Sequence, residues 1–177
     1  MERFPFIEIK GPPRERGQSL GQEAVDLIRL NLDRYWRLFQ DVAGLSQSRV
    51  TAETAGFIEP IEAYAPTLLE EMRGIAEGSG VTLAEILALN CRTEFLSAAK
   101  VPFQECTAIF AGPEATADGH TLLAQNWDWA EILRGGMVLL QIDQPDSIRP
   151  RVGQKLAVLR VRKTRSPPAV KTARVRR

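Results

Sequence analysis

The chain has 177 residues, 44% hydrophobic and 25% charged, enough for one globular core and too few for two comfortable domains. No apolar run approaches the ~18–20 residues of a membrane span, and the start Met1-Glu2-Arg3-Phe4-Pro5 lacks the basic and apolar regions of a signal peptide. The net charge of +1 hides a division: residues 151–177 hold ten Lys or Arg and no acid, leaving 13 basic against 22 acidic residues in 1–150, a net of −9.

Residues 4–9 (FPFIEI) read as a short strand ended by Gly11-Pro12-Pro13. A helix is predicted from about Glu15 to Val42, with Ala24, Leu27, Ile28, Tyr35, Leu38, Phe39 and Val42 on one face and Gly44 as its stop. A second helical region spans about 51–77, where Ile58, Ile61, Ala65, Leu68, Met72 and Ile75 step by three and four. Pro60 and Pro66, lacking amide donors, are expected to break it into pieces. After the turn Gly78-Ser79-Gly80, Thr82-Leu83-Ala84-Glu85 is a capping box opening a short helix from Leu83 to Asn90. The texture then changes. Thr107–Ala111, Thr121–Asn126 and Met137–Ile142 are short, apolar and bounded by Gly, Pro or Asp, as strands are, and Asp118-Gly119 marks the turn between the first two. Helices followed by a meander of strands is the expected order. From Arg149 onward, like charge, Pro167-Pro168 and the lack of lasting periodicity predict a mostly disordered tail.

The strands place chemistry. If Ala111 faces Thr121 in an antiparallel hairpin, Cys106 lies opposite Asn126, with Asp128 just beyond, so that a thiol, an amide and a carboxylate share one end. The single histidine, His120, falls at the other end, roughly 15–20 Å away at ~3.3 Å per residue. A Cys–His pair of the thiol-protease kind needs hydrogen-bond reach and is therefore not expected. Two cysteines and one histidine at wide spacing also match no zinc pattern. Cleavage just before Cys106 would instead give the cysteine a free α-amine. With an unperturbed pKa of ~7.7–8, that amine is suited to act as general base near neutral pH.

The stretches VTLAEILALNCRTEF (81–95), ECTAIF (105–110) and DGHTLLAQNWDW (118–129) resemble the acyl-coenzyme A:6-aminopenicillanic acid acyltransferase (isopenicillin N acyltransferase-like) family, cysteine N-terminal-nucleophile enzymes that cleave their own precursors. RERGQSLGQEA (14–24) and MRGIAEGSG (72–80) also fit, and the resemblance extends over about residues 6–145. It implies an α+β fold of the αββα sandwich type, present here only in its N-terminal half. A helical pro-segment would occupy 1–105 and the start of the catalytic subunit 106–148. Residues 149–177 would then form a disordered or out-of-frame basic tail. It implies self-cleavage between Glu105 and Cys106, attack of Cys106 on an acyl carbonyl, and an acyl-enzyme released by an amine or water. Asp128 takes the position of a substrate-contacting carboxylate, while Asn126, Arg92 and Glu94 are expected to support the site. Arg92 and Glu94 are expected to do so as a structural ion pair.

No resident cofactor is implied, with acyl-CoA as a candidate co-substrate. The expected partner is a small-molecule amide or acyl thioester, together with association of the two cleaved subunits. Glu105 stands where the penicillin enzyme has glycine. Family chains also continue into a half that carries the oxyanion-stabilising asparagine, for which residues 150–177 offer no match.

The alternative is a catalytically inactive, truncated family member or an interaction module lacking the oxyanion hole. Nucleic-acid binding by the tail is disfavoured because it has no aromatic residue for base stacking. The scarcity of cysteine and the absence of a membrane span or of a peroxisomal address at Val175-Arg176-Arg177 point to the cytoplasm.

Overall fold

A computed structural model describes residues 4–101, 106–126, 129–133, 135–143 and 158–161. These fall into two units. The larger opens with strand β1 (Phe6–Lys10), followed by helices α1 (Pro13–Glu23), α2 (Val25–Ala43), α3 (Gln47–Glu53), α4 (Ile58–Tyr64), α5 (Pro66–Ser79), α6 (Leu83–Asn90) and α7 (Arg92–Ala98). The smaller contains an antiparallel hairpin of β2 (Thr107–Ala111) and β3 (Leu122–Asn126). The chain then returns to the larger unit with β4 (Val138–Asp143) and β5 (Val158–Val161).

The predicted long first helix is two. Ala24, at φ −103° and ψ 15°, leaves the helical region between α1 and α2, although its N–H still donates to the Leu20 carbonyl. Below this joint, Ile28, Leu32, Tyr35 and Phe39 form the buried stripe of α2. The Phe39 ring meets Phe95 edge-on at 5.8 Å, and Phe95 meets Phe57 at 5.5 Å, the offset geometry that aromatic quadrupoles favour. Val42, expected on this face, is exposed, and Gly44 ends the helix at φ 66°.

Pro60 and Pro66 divide the second helical region, as their missing amides require. Pro66 occupies the first turn of α5, where no amide donor is needed. Pro60 sits in the first turn of α4 for the same reason, and a short 3-10 turn, Thr54–Phe57, precedes that helix. The capping box is present in full: Thr82 Oγ1 accepts from the Glu85 N–H, and the Glu85 carboxylate accepts from the Thr82 N–H. Helix α6 covers the predicted residues. Helix α7, which sequence periodicity does not reveal, contributes Phe95 and Leu96 to the core.

Helices α1 and α5 pack backbone to backbone. A Cβ on Gly17 would overlap the Glu71 carbonyl oxygen, and one on Gly21 that of Ile75. In the reverse sense, a Cβ on Gly74 would overlap the Arg14 carbonyl, and one on Gly78 that of Gln18. Two glycines four residues apart on each helix therefore permit an approach closer than the usual 8–10 Å between axes. Charges flank the seam. Arg16, nearly buried, donates through Nε and Nη2 to the Glu71 carboxylate at 2.9 and 2.7 Å and through Nη1 to the Gly11 carbonyl at 3.0 Å. Arg14 bridges Glu70 and Glu77 at the exposed rim.

The strands correct the expected meander. β4 does not continue from the hairpin but runs parallel to β1, with Phe6 opposite Leu139 and Lys10 opposite Asp143, and β5 lies parallel on its other side. The reason lies in the faces. Ile7, Ile9, Val138 and Leu140 are all buried, and only side-by-side pairing of β1 and β4 puts these alternating residues on one face toward the core. Parallel strands require a long crossover, supplied here by the chain between them. The side chain of Asn31 in α2 fixes the entry to β4, donating to the Leu27 carbonyl at 2.9 Å and to the Gly136 carbonyl at 2.8 Å. β5 (Val158–Val161) falls within the basic segment that begins at Arg149. No helix among the described residues is long and apolar enough to cross a membrane.

Candidate functional site

Cys106 is exposed and directly precedes β2. The hairpin that follows pairs Thr107 with Asn126, Ala108 with Gln125, Ile109 with Ala124, Phe110 with Leu123 and Ala111 with Leu122. This register differs by one residue from the expected one: Thr107, not Cys106, lies opposite Asn126. The turn explains the difference. The loop forms a 3-10 turn at Pro113–Ala115, then reverses at Asp118-Gly119, where Gly119 has φ 70° and Asp118 Oδ1 accepts from the His120 N–H at 3.2 Å. Thr121 is left outside the ladder, and the first rung passes to Leu122. A slip of one residue exchanges the faces of a strand, so it matters for which side chains accompany the thiol.

The hairpin still brings Cys106 and Asn126 to one end, and it keeps His120 at the other, in the turn. Its large apolar residues are open to solvent, with Ile109, Phe110, Leu122 and Leu123 exposed by 66, 70, 55 and 75%. Residues Ile109 and Leu122 belong to one face and Phe110 and Leu123 to the other, so neither face is covered. Asp128 and Glu105 lie outside the described residues.

Arg92 and Glu94 belong to the larger unit, on α7, and the hairpin to the smaller. Arg92 Nη1 donates to the Leu89 carbonyl at 3.0 Å, and its guanidinium lies 5.8 Å from the centre of the Tyr35 ring, a cation–π contact. These interactions tie the α6–α7 junction to α2. Glu94 is exposed on the first turn of α7.

The two thiols are in opposite situations. Cys91, between α6 and α7, is buried. Burial chiefly, and the nearby Glu94 carboxylate secondarily, push its thiol up from the ordinary 9.0 to about 12, with Arg92 opposing the rise. A thiol so placed stays protonated near neutral pH and is a poor nucleophile. Among the described residues no group of three or more His, Cys, Asp or Glu is placed to hold a metal ion.

The chain is 27% identical over 139 residues to the acyl-coenzyme A:6-aminopenicillanic-acid-acyltransferase 40 kDa form of Emericella nidulans. The match takes in 78% of this chain but only 38% of that protein, so the chain spans about two-fifths of the length of the relative. No family model matches the chain. The similarity supports a distant relationship to an acyltransferase and, with the mixed helices and strands, an α+β protein.

The signal for the register was in the loop: an Asp-Gly reversal that leaves Thr121 unpaired moves each rung by one, so that Ala108 faces Gln125 and Thr107 faces Asn126.

Proposed function

We propose that the chain carries the nucleophile-bearing part of an acyltransferase or amide hydrolase, with Cys106 as the nucleophile. The observation that carries this reading is the contrast between the two thiols: Cys106 is exposed at the head of a strand, while Cys91 is buried with its thiol pushed up to about 12. The distant similarity to an acyltransferase supplies the reaction class.

In this reading Sγ of Cys106 attacks the Glu105 carbonyl, the acyl group passes from nitrogen to sulfur, and water hydrolyses that thioester, leaving a carboxylate on Glu105 and a free thiol and α-amine on Cys106; the new α-amine then serves as the base. The amine takes the thiol proton, and Sγ attacks the acyl carbonyl carbon. As the tetrahedral intermediate collapses, the bond to the leaving amine or thiol breaks and that group takes the proton. Water or an acceptor amine then attacks the thioester, releasing the acyl group and returning the thiol. Acyl-CoA fits as a donor because its thioester exchanges with a thiolate without a change of oxidation state. Asp128 is assigned to substrate contact and Asn126 to support of the site, and the two cleaved pieces remain associated.

Intact-mass measurement tests the reading. The expected result is two fragments meeting between Glu105 and Cys106, acyl label from a thioester donor on Cys106, and a single unlabelled chain for Cys106→Ala. An uncleaved, unlabelled wild-type chain overturns it. That outcome would favour the second reading, a catalytically silent relative acting as an interaction module, for which the uncovered apolar residues on both hairpin faces are the specific observation.

A further inference from the structure

The edges of the two sheets are protected unequally. In the three-stranded sheet, ordered β1–β4–β5, both outer strands carry charge: Glu8 and Lys10 in β1, Arg160 in β5. Charged side chains on an outer strand discourage another strand from adding to its open N–H and C=O groups. Among the described residues the hairpin is a sheet of two strands, so β2 and β3 each have an open edge. Neither β2 (TAIFA) nor β3 (LLAQN) has a charged residue, whereas β4 ends in Asp143. Ile109 and Phe110 of β2 are also open to solvent. A hairpin of two strands is marginally stable at best in water without a further strand or a packed face.

The two open edges differ in how well each would meet a copy of itself. About a two-fold axis, every residue of an antiparallel strand faces a mate on the same strand of the other copy. With the axis at Ile109, Ile109 faces Ile109, Ala108 faces Phe110 and Thr107 faces Ala111. A large ring then lies beside a methyl group, the β-branched residues meet at the centre, and no charge meets a like charge. Because the axis falls on a residue, the outward N–H and C=O groups of β2 meet the same groups of the copy. Centred on Ala124, β3 would instead set Leu122 against Asn126 and Leu123 against Gln125, apolar side chains against polar ones.

We propose that β2 is an association edge for a second copy of this chain, the two β2 strands pairing antiparallel about Ile109 into a four-stranded sheet ordered β3–β2–β2–β3. Charge admits the copy. The edge itself is neutral, and each chain carries a net of −9 in residues 1–150 and ten basic residues in 151–177, so both partners offer opposite charges to each other. One strand of five residues per copy is a small contact beside the roughly 1,200 Å² of the smallest stable complexes. The dimer is therefore expected to form reversibly, at micromolar and higher concentration.

Sedimentation velocity of the full chain over a concentration series, with reductant present so that the exposed Cys106 forms no disulfide, tests it. The expected result is a mass that rises with concentration from one chain toward two. Ile109→Lys and Ile109→Glu each bring like charges face to face at the axis, and each is expected to weaken association at least about tenfold. An equimolar mixture of the two is expected to associate again, because the introduced charges are then opposite. Ala124→Lys, at the middle of β3, is expected to leave the dimer in place. A mass of one chain at every concentration overturns the proposal and gives the edge to a different occupant. A mixture of the two Ile109 variants that fails to associate overturns it too, as does a dimer lost in Ala124→Lys and kept in Ile109→Lys, which would point to β3. The association does not depend on Cys106 being a nucleophile, so failure of the catalytic reading shows separately, as an uncleaved and unlabelled wild-type chain.

Discussion

Thr107 and Asn126 form the last rung of the β2–β3 ladder, and Cys106 directly precedes that rung. That rung ties the end of the hairpin that carries the candidate nucleophile to the conformation of a turn at its far end.

The α1–α5 seam is predicted to be the most substitution-sensitive contact in the larger unit. Gly74→Ala inserts a Cβ onto the Arg14 carbonyl, and Gly78→Ala onto that of Gln18; backbone on both sides leaves little room to yield. Each is expected to lower stability by at least the roughly 1–3 kcal/mol typical of overpacking. Gly56→Ala, whose Cβ would meet nothing within 4 Å, is expected to stay within about 0.5 kcal/mol of wild type. Denaturant midpoints at constant slope compare the three.

Acid is predicted to weaken the same seam at its rim. The Glu70 carboxyl is held below its ordinary 4.5, first by the hydrogen bond from Arg73 and then by Arg14. Glu77 is lowered by Arg14 first and Gln18 second. Because the folded values are depressed, these groups stabilise the fold above about 4.5, and the contribution is lost as pH falls through the lower folded values. Unfolding midpoints measured between pH 6 and pH 3 should fall. Arg14→Ala should flatten that dependence, and so should high salt, since the groups are exposed and screened.

The two cysteines are predicted to separate by reactivity. At pH 8 iodoacetamide should label Cys106 in the folded chain and spare Cys91, and denaturant should make both react. The raised Cys91 thiol has a second consequence. The folded state keeps its proton up to about 12, whereas the unfolded chain loses it near its ordinary 9.0. The contribution to stability is whole below 9 and is lost as pH rises from 9 toward 12. Cys91→Ala should show a shallower loss of stability over that window in equilibrium unfolding, and an equal slope in both proteins would contradict the assignment of burial as the cause.

Much of the local structure is legible without coordinates. Thr82 and Glu85 announce the start of α6, Pro60 and Pro66 divide the helices around them, and Asp118-Gly119 marks the turn, because each acts through its own backbone and near neighbours. The bend at Ala24 is not legible, since no proline or glycine marks it and the apolar spacing runs straight through. Helix α7 is hidden for a related reason: seven residues give too few turns for a period to emerge.

The amino-acid sequence by itself determined where α6 begins, where prolines divide the helices, that one thiol heads a strand, and that the lone histidine sits at the other end of the hairpin. Only the tertiary structure decided that β4 pairs with β1 rather than continuing from the hairpin, and that the hairpin register sets Thr107, not Cys106, opposite Asn126. The physical reason is range. Caps, turns and breaks are set by residues a few positions apart, whereas strand partnership, burial and register are settled by which apolar faces close on one another across the chain.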